Sequence, residues 1–339
     1  MIKEMNIGKS GVKAPQLVLG TFGMGGGTSW QDTTDNDQEL VDFIRAAYDK
    51  GVWGLDTAPV YGTGRSEKIV GEAVKGRREN YYISTKCSLN WRSTEGTFTY
   101  TRDGYSVYND FSAAAMTADV EESLARMDLD YIDLMIVHRT PAPELFPEVM
   151  DTMQKLKERG LIRAVGLSNV SLAADYEAAE KSLKACLNYG ELDLLQEGSS
   201  LLKREYAEKT ATFCREHGVT FQAHSSLEKG ALAGKLIPEV TSWGGDNRSK
   251  YKWFQPDNIP KINALTKGLQ EIAAGYNCSV PALCLAWMRS LGDNVNLLVG
   301  ARHMESLTDT LTALDVVLKP EDIVKMNQLS DMTTGRKRQ

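Results

Sequence analysis

Residues 51–87 read GVWGLDTAPVYGTGRSEKIVGEAVKGRRENYYISTKC. A short apolar run, Val52 to Leu55, ends on Asp56 and breaks at Pro59. Gly62 and Gly64 mark a loop that carries Tyr61. An amphipathic helix is expected from about Ser66 to Val74, and a second strand, Tyr81 to Ser84, runs out on Lys86. Strand, loop, helix, strand is the repeating unit of a parallel sheet. It delivers a carboxylate and an ammonium at the ends of successive strands, with a phenol on the first loop. A lysine at a buried strand end is costly unless a carboxylate faces it, so Asp56 and Lys86 are natural partners. A tyrosine hydroxyl beside that ammonium is expected to have its pKa drawn down toward working pH, where it can act as a general acid or base. Each residue alone has a plainer reading, as a structural ion pair or a packed ring. The three together favour chemistry.

Outward from this unit the alternation continues. Upstream, Met1 to Val12, with Gly8 and Gly11 as turn residues, is compatible with a hairpin capping a barrel floor. Leu17 to Gly20 is the first core strand, and it runs into Thr21 to Gly27, too glycine-rich for a helix. A dinucleotide turn is a weak match there, because no helix starts at its end and no acidic residue closes a second strand in the required place. Asp35 to Lys50 is the first long helix, with Leu40, Phe43, Ile44 and Ala47 on one face. Downstream, strands are expected at 131–137, 162–166, 192–196, 219–223 and 295–299, with helices between them and a terminal helix from Pro320 to Leu329. Eight strands alternating with helices, without an internal repeat or linker, predict an α/β chain folded as a single (β/α)8 barrel over 1–339, with a flexible tail at 332–339. Strand-end residues of such a barrel gather at one mouth. Two long aromatic stretches, 88–110 and 243–258, read as unstructured lids over it, too aromatic for disorder.

Composition narrows the function. The chain has 339 residues, 42% apolar and 25% charged, the balance of an ordinary globular protein. A net charge of −6 argues against nucleic acid or an anionic membrane as partner, and Arg336-Lys337-Arg338 is read as a solvated end. Five cysteines, at 87, 186, 214, 278 and 284, form no CxxC pair and no ligand spacing, so no metal is expected. No signal-like N-terminus and no apolar run near 18 residues are found, which gives an expectation of a cytoplasmic protein with reduced thiols.

DTAPVYGTGRSEKIVG and ISTK resemble the Asp-Tyr and Lys segments of the aldo-keto reductases. The resemblance extends in order through LGTFGMGG at 19–26, IVHRTP at 136–141, IRAVGLSN at 162–169, LLQ and LLKRE at 194–205, AHSSLEKGALAGK at 223–235 and VGARHMESL at 299–307. It implies reduction of an aldehyde or ketone by NADPH. Asp56, Tyr61, Lys86 and His138 match the family's catalytic tetrad, with Tyr61 as proton donor, Lys86 and Asp56 tuning it, and His138 orienting the carbonyl. For the cofactor it implies Gly20, Thr21 and Phe22 beside Asp56, then Ser168, Asn169 and Gln196 at the carboxamide. Ser225, Leu227 and Lys235 would line the pyrophosphate channel, and Gly300 and Arg302 would meet the ribose phosphate, which favours NADPH over NADH. His217 and His303 keep a structural reading.

Three positions depart from the family pattern. Ser199 stands where a ring usually stacks on the nicotinamide, and Ser306 and Thr310 replace residues at the adenine end, with Asp309 retained between them. Loop composition suits a small sugar-derived or aromatic carbonyl. The resemblance also admits redox-neutral sugar chemistry, or a non-catalytic nucleotide-binding subunit like the potassium-channel beta subunits.

Overall fold

Eight parallel strands close into one barrel in the order in which they occur along the chain. They are β3 (Leu17–Gly20), β4 (Gly54–Asp56), β5 (Tyr82–Cys87), β9 (Ile132–Val137), β10 (Ile162–Ser168), β11 (Leu194–Gly198), β12 (Thr220–His224) and β13 (Val295–Gly300). The computed structural model describes residues 2–26, 36–102, 104–168, 176–238 and 247–336. Helices α1 (Asp37–Asp49), α2 (Arg65–Val74), α3 (Ala113–Met127), α4 (Phe146–Glu158), α5 (Tyr176–Tyr189), α6 (Arg204–His217), α7 (Ile259–Ala274) and α8 (Val280–Arg289) fill the crossovers. After the last strand come α9 (Met304–Leu311) and α10 (Pro320–Thr334). The expected barrel is the observed one, because each crossover carries its own start and stop. In α1 the Asn36 side chain accepts from the Gln38 and Glu39 amides, Leu40, Val41, Ile44 and Ala47 are buried, and Gly51 at φ 88° ends the turn.

The floor is the antiparallel hairpin β1 (Glu4–Asn6) and β2 (Lys13–Pro15). Ile7 and Ala14 close the barrel interior beneath Val18, Tyr82, Leu134, Ile136, Ala164 and Leu194. Above this apolar plug the inward positions turn polar. Asn296 donates to the Pro15 carbonyl at 2.7 Å, Gln222 to Asn296 at 2.8 Å, and Gln196 to Gln222 at 2.7 Å and Asp56 at 2.9 Å. This chain of amides leads straight to Asp56.

Four expectations need correction. Residues 88–110 are not an unstructured lid but a three-stranded antiparallel sheet, β6 (Leu89–Asn90), β7 (Thr97–Arg102) and β8 (Tyr105–Asn109), in the order β6-β8-β7. Its Leu89 and Val107 cover Ala58 and Val60 beside Tyr61, so apolar burial holds it over the mouth. Phe22–Gly25 forms a 3-10 turn where only loop was expected. The tail is helical as far as Thr334, where Ser330 is tied to the Leu201 carbonyl at 2.6 Å, rather than free from residue 332. In the second aromatic stretch 243–246 lies outside the described residues, while Trp253 and Phe254 are buried in the core rather than lining the mouth. Residues 169–175, between β10 and α5, also fall outside them. None of the five cysteines is bonded to another. No helix among the described residues is long and apolar enough to cross a membrane.

Candidate active site

Asp56 ends β4, and the chain then turns past Pro59 to put Tyr61 beside Lys86 and His138. That turn is held against the segment after β3. A Cβ placed on Gly25 would lie 2.6 Å from the Tyr61 carbonyl carbon, so only glycine allows the approach. Phe22 meets Tyr61 edge-on, with centroids 5.0 Å apart. Thr21 is fully buried, donating to the Asp56 carbonyl at 2.9 Å and sharing a hydrogen bond of 2.6 Å with Ser66, so its side chain fixes the strand ends to each other.

Lys86 comes from the inward face of β5. Its Nζ donates to Asp56 Oδ1 at 2.6 Å and to the Thr57 carbonyl at 2.7 Å, and lies 4.9 Å from the Tyr61 ring centroid. Asp56 also accepts from Ser84 at 2.8 Å and from Gln196. Burial alone would lower the Lys86 pKa, but the Asp56 carboxylate, helped by Tyr61, reverses the effect and holds it above its ordinary value. For Tyr61, burial outweighs the opposing Lys86 ammonium, and Asp56 adds to burial, so the phenol is held above its ordinary value. This overturns the expected shift toward working pH. The group stays protonated.

His138 follows β9, its amide bound to the Cys87 carbonyl at 3.0 Å and its ring 6.1 Å from the Tyr61 ring. Burial first, then Lys86, Arg139, His224 and Arg102, hold its pKa well below the ordinary value. It is therefore a neutral imidazole facing a phenol and an ammonium. The sheet β6-β8-β7 is anchored on α3, where the Ser88 amide donates to Asp119 at 2.8 Å and Arg92 pairs with Asp119 and Glu122. It brings Tyr100 and Arg102 to the mouth, with the Arg102 guanidinium 5.3 Å from the Phe22 ring centroid and 5.2 Å from that of Tyr100.

The residues expected at a cofactor are less uniformly gathered. Gly20 closes β3, and Ser168 ends β10 fully buried, its carbonyl accepting from Thr140 at 3.2 Å; Asn169 lies outside the described residues. The Gln196 amide nitrogen is engaged by Asp56 and Gln222. Ser225 accepts from Lys229 at 3.1 Å, Leu227 is half-buried against the core, and Lys235 is exposed. Gly300 ends β13, and the Arg302 stem lies against Gly23. On α9 Ser306 is exposed, Thr310 is buried, and Asp309 accepts from Ser279 at 2.7 Å.

Sequence reasoning passed over His224. Its imidazole lies over Gly198 and 3.1 Å from Ser225 Oγ, with its pKa lowered to about 3 by burial and then by Lys229, Lys86 and Lys203. Ser199 is fully buried with its hydroxyl unpaired, as is that of Ser226. Two unpaired buried hydroxyls flanked by Lys203 and Lys229 make a rim that suits an oxyanion-bearing nucleotide.

The aldo/keto reductase family model matches residues 16–331. The chain belongs to the aldo/keto reductase family. A curated relative, the NADH-specific methylglyoxal reductase of Escherichia coli strain K12, is 32% identical over 97% of this chain and 99% of its own. Among solved structures, the glycerol dehydrogenase AKR11B4 of Gluconobacter oxydans superposes with a TM-score of 0.83 at 26% identity, over 100% of this chain and 97% of that one. An aldo/keto reductase of Klebsiella pneumoniae in complex with NADP and acetate gives 0.68 at 25% identity, over 97% and 96%. This aldo/keto reductase is therefore an oxidoreductase, and carbonyl reduction is the activity its relatives support.

Proposed function

We propose that this protein reduces a small aldehyde or ketone to the alcohol, using NADPH. The observation that carries the reading is the convergence of a protonated phenol, a carboxylate-pinned ammonium and a neutral imidazole at one end of the barrel. The nucleotide, when bound, supplies hydride to the carbonyl carbon. The carbonyl oxygen gains charge as this happens. Tyr61 gives it a proton, and the ammonium of Lys86 steadies the phenolate left behind. Asp56, fixed by Ser84 and Gln196, keeps that ammonium charged and in place. His138, being neutral, donates a hydrogen bond to the same oxygen without competing as an acid.

The nucleotide would lie along the ends of β10 to β13, held by Ser168, Asn169 and Gln196, by Ser225, Leu227 and Lys235, and by Gly300 and Arg302. The unpaired hydroxyls of Ser199 and Ser226 and the cations Lys203 and Lys229 support that course. Arg302 favours the phosphorylated dinucleotide. The relatives differ here, one being NADH-specific and another binding NADP, so the preference rests on this guanidinium.

The test is turnover of purified protein with NADPH and a panel of aldehydes, alongside fluorescence titration with NADPH and NADH. Tyr61→Phe should lower turnover by about 10²–10⁴-fold and leave nucleotide affinity unchanged. Turnover that survives the substitution would remove Tyr61 as the acid, and with it this reading.

A further inference from the structure

Two guanidiniums at the mouth have no role in the reaction as proposed. Arg102, at the end of β7, is seated between the Phe22 and Tyr100 rings, one ring away from Tyr61. Arg139 directly follows His138, and its Nε is buried without a hydrogen-bond partner. Both lie near enough to Tyr100 and His138 to act on their titration. Among the described residues, no carboxylate forms an ion pair with either one. A partly buried guanidinium without a counter-charge is unfavourable, and three other half-buried arginines of the chain avoid it. Arg78 holds Asp133 at 2.6 Å, Arg126 holds Glu67 at 2.7 Å, and Arg204 holds Asp331 at 2.8 Å. In a chain of net charge −6, two uncompensated cations converging on the reacting centre are a local reversal of sign.

We propose that Arg102 and Arg139 form an oxyanion subsite, and that the carbonyl substrate carries a carboxylate or a phosphate which they hold while its carbonyl faces Tyr61 and His138. The proposal rests on the reductase reading and names the substrate class for it. The anion supplies the counter-charge that the fold withholds. It also fixes the substrate by a charge-assisted contact on the side of the mouth opposite the strand ends β11 to β13.

The test compares matched carbonyls with the holoenzyme: butanal with 4-oxobutanoate, and glyceraldehyde with glyceraldehyde 3-phosphate. The expected result is a kcat/KM at least tenfold higher for one or both anionic partners, carried mainly by KM and weakened by added salt. The first pair reads a carboxylate site and the second a phosphate site. Arg102→Gln and Arg139→Gln should each reduce that preference several-fold, with Arg139→Lys restoring part of it. Because Arg139 is partly buried, Arg102→Gln on the sheet rim keeps the test valid should the other variant fail to fold. Equal turnover of neutral and anionic partners, unchanged in Arg102→Gln, would overturn the subsite and leave the reductase standing. Failure of the reductase reading has a different signature, no nucleotide oxidation with any carbonyl. The subsite is then read by binding of 4-oxobutanoate and of glyceraldehyde 3-phosphate, with and without NADP, from the quenching of tryptophan fluorescence. Binding lost in Arg102→Gln supports it, and no binding overturns it.

Discussion

Gly62 and Gly25 meet backbone to backbone: a Cβ on Gly62 would stand 1.9 Å from the Gly25 carbonyl oxygen. Gly62 also sits at φ 63°, a conformation that side chains disfavour. The peptide of Tyr61 is thus positioned by contact with the turn after β3, and Phe22 of that turn braces the Tyr61 ring. The position of Tyr61 is decided by two residues that have no side chains.

Gly62→Ala should therefore act on catalysis as well as on stability. Left-handed strain and the clash together are expected to destabilise by about 2 kcal/mol or more. A displaced Tyr61 should lower kcat by on the order of 10²-fold, with nucleotide affinity nearly unchanged. Circular dichroism melts and steady-state kinetics read the two effects. Wild-type kcat in a destabilised variant would show that the contact is structural only.

Lys86 and Asp56 predict a strong non-additivity. Their side chains are 1% and 2% exposed, so Lys86→Met strands a buried carboxylate and should destabilise by about 3–5 kcal/mol. Adding Asp56→Asn removes the stranded charge, while Ser84 and Gln196 can still bind the amide, so the double variant should be more stable than Lys86→Met alone. Urea unfolding of the four proteins gives the coupling energy. A double variant as unstable as the sum of the singles would mean that the pair is not coupled.

Much of this was legible in the chain, and the exceptions share a cause. The barrel could be read because its strands are short apolar runs separated by helical stretches, and Asp56, Lys86 and His138 stand at or just past the ends of three of them. The sheet over the mouth was missed although TFTYTR alternates with a period of two and Asp103-Gly104 separates it from YSVYN, a recognised hairpin signal. Arg102 ends the first of those strands, and so its arrival beside Phe22 went unseen. Arg139 could have been suspected as the neighbour of His138. His224, Gln222 and Asn296 carry no such signal, because only barrel closure brings β12 and β13 round to β3 and β4. The Tyr61 pKa was misjudged because pairing logic sees the ammonium but not the burial that outweighs it.

Arg302 makes a prediction about nucleotide choice. Removing a charge-assisted contact of this kind should weaken NADPH binding by about 10–100-fold in Arg302→Ala. NADH, which lacks the extra phosphate, should change by no more than about threefold on the same grounds. Parallel fluorescence titrations measure both. An equal loss for the two nucleotides would place Arg302 elsewhere on the cofactor or outside its site.

The two half-buried imidazoles set an acid limit on stability. His224 is held to about 3 and His138 well below its ordinary 6.5, each chiefly by burial. As pH falls below about 6.5 the unfolded chain takes up these protons while the native state refuses them, so stability is lost on acidification. For His224 the window runs from about 6.5 down to about 3, with a slope of up to about 1.4 kcal/mol per pH unit. His224→Gln keeps a polar side chain over Gly198 but cannot titrate. Its stability should fall more gently than that of the wild type between pH 6 and pH 4, a difference read by urea unfolding at each pH. Carboxylates titrate in the same range but are common to both proteins, so they cancel in the comparison. Parallel curves for the two proteins would show that His224 accepts its proton in the native state, and that the cations around it do not exclude the charge.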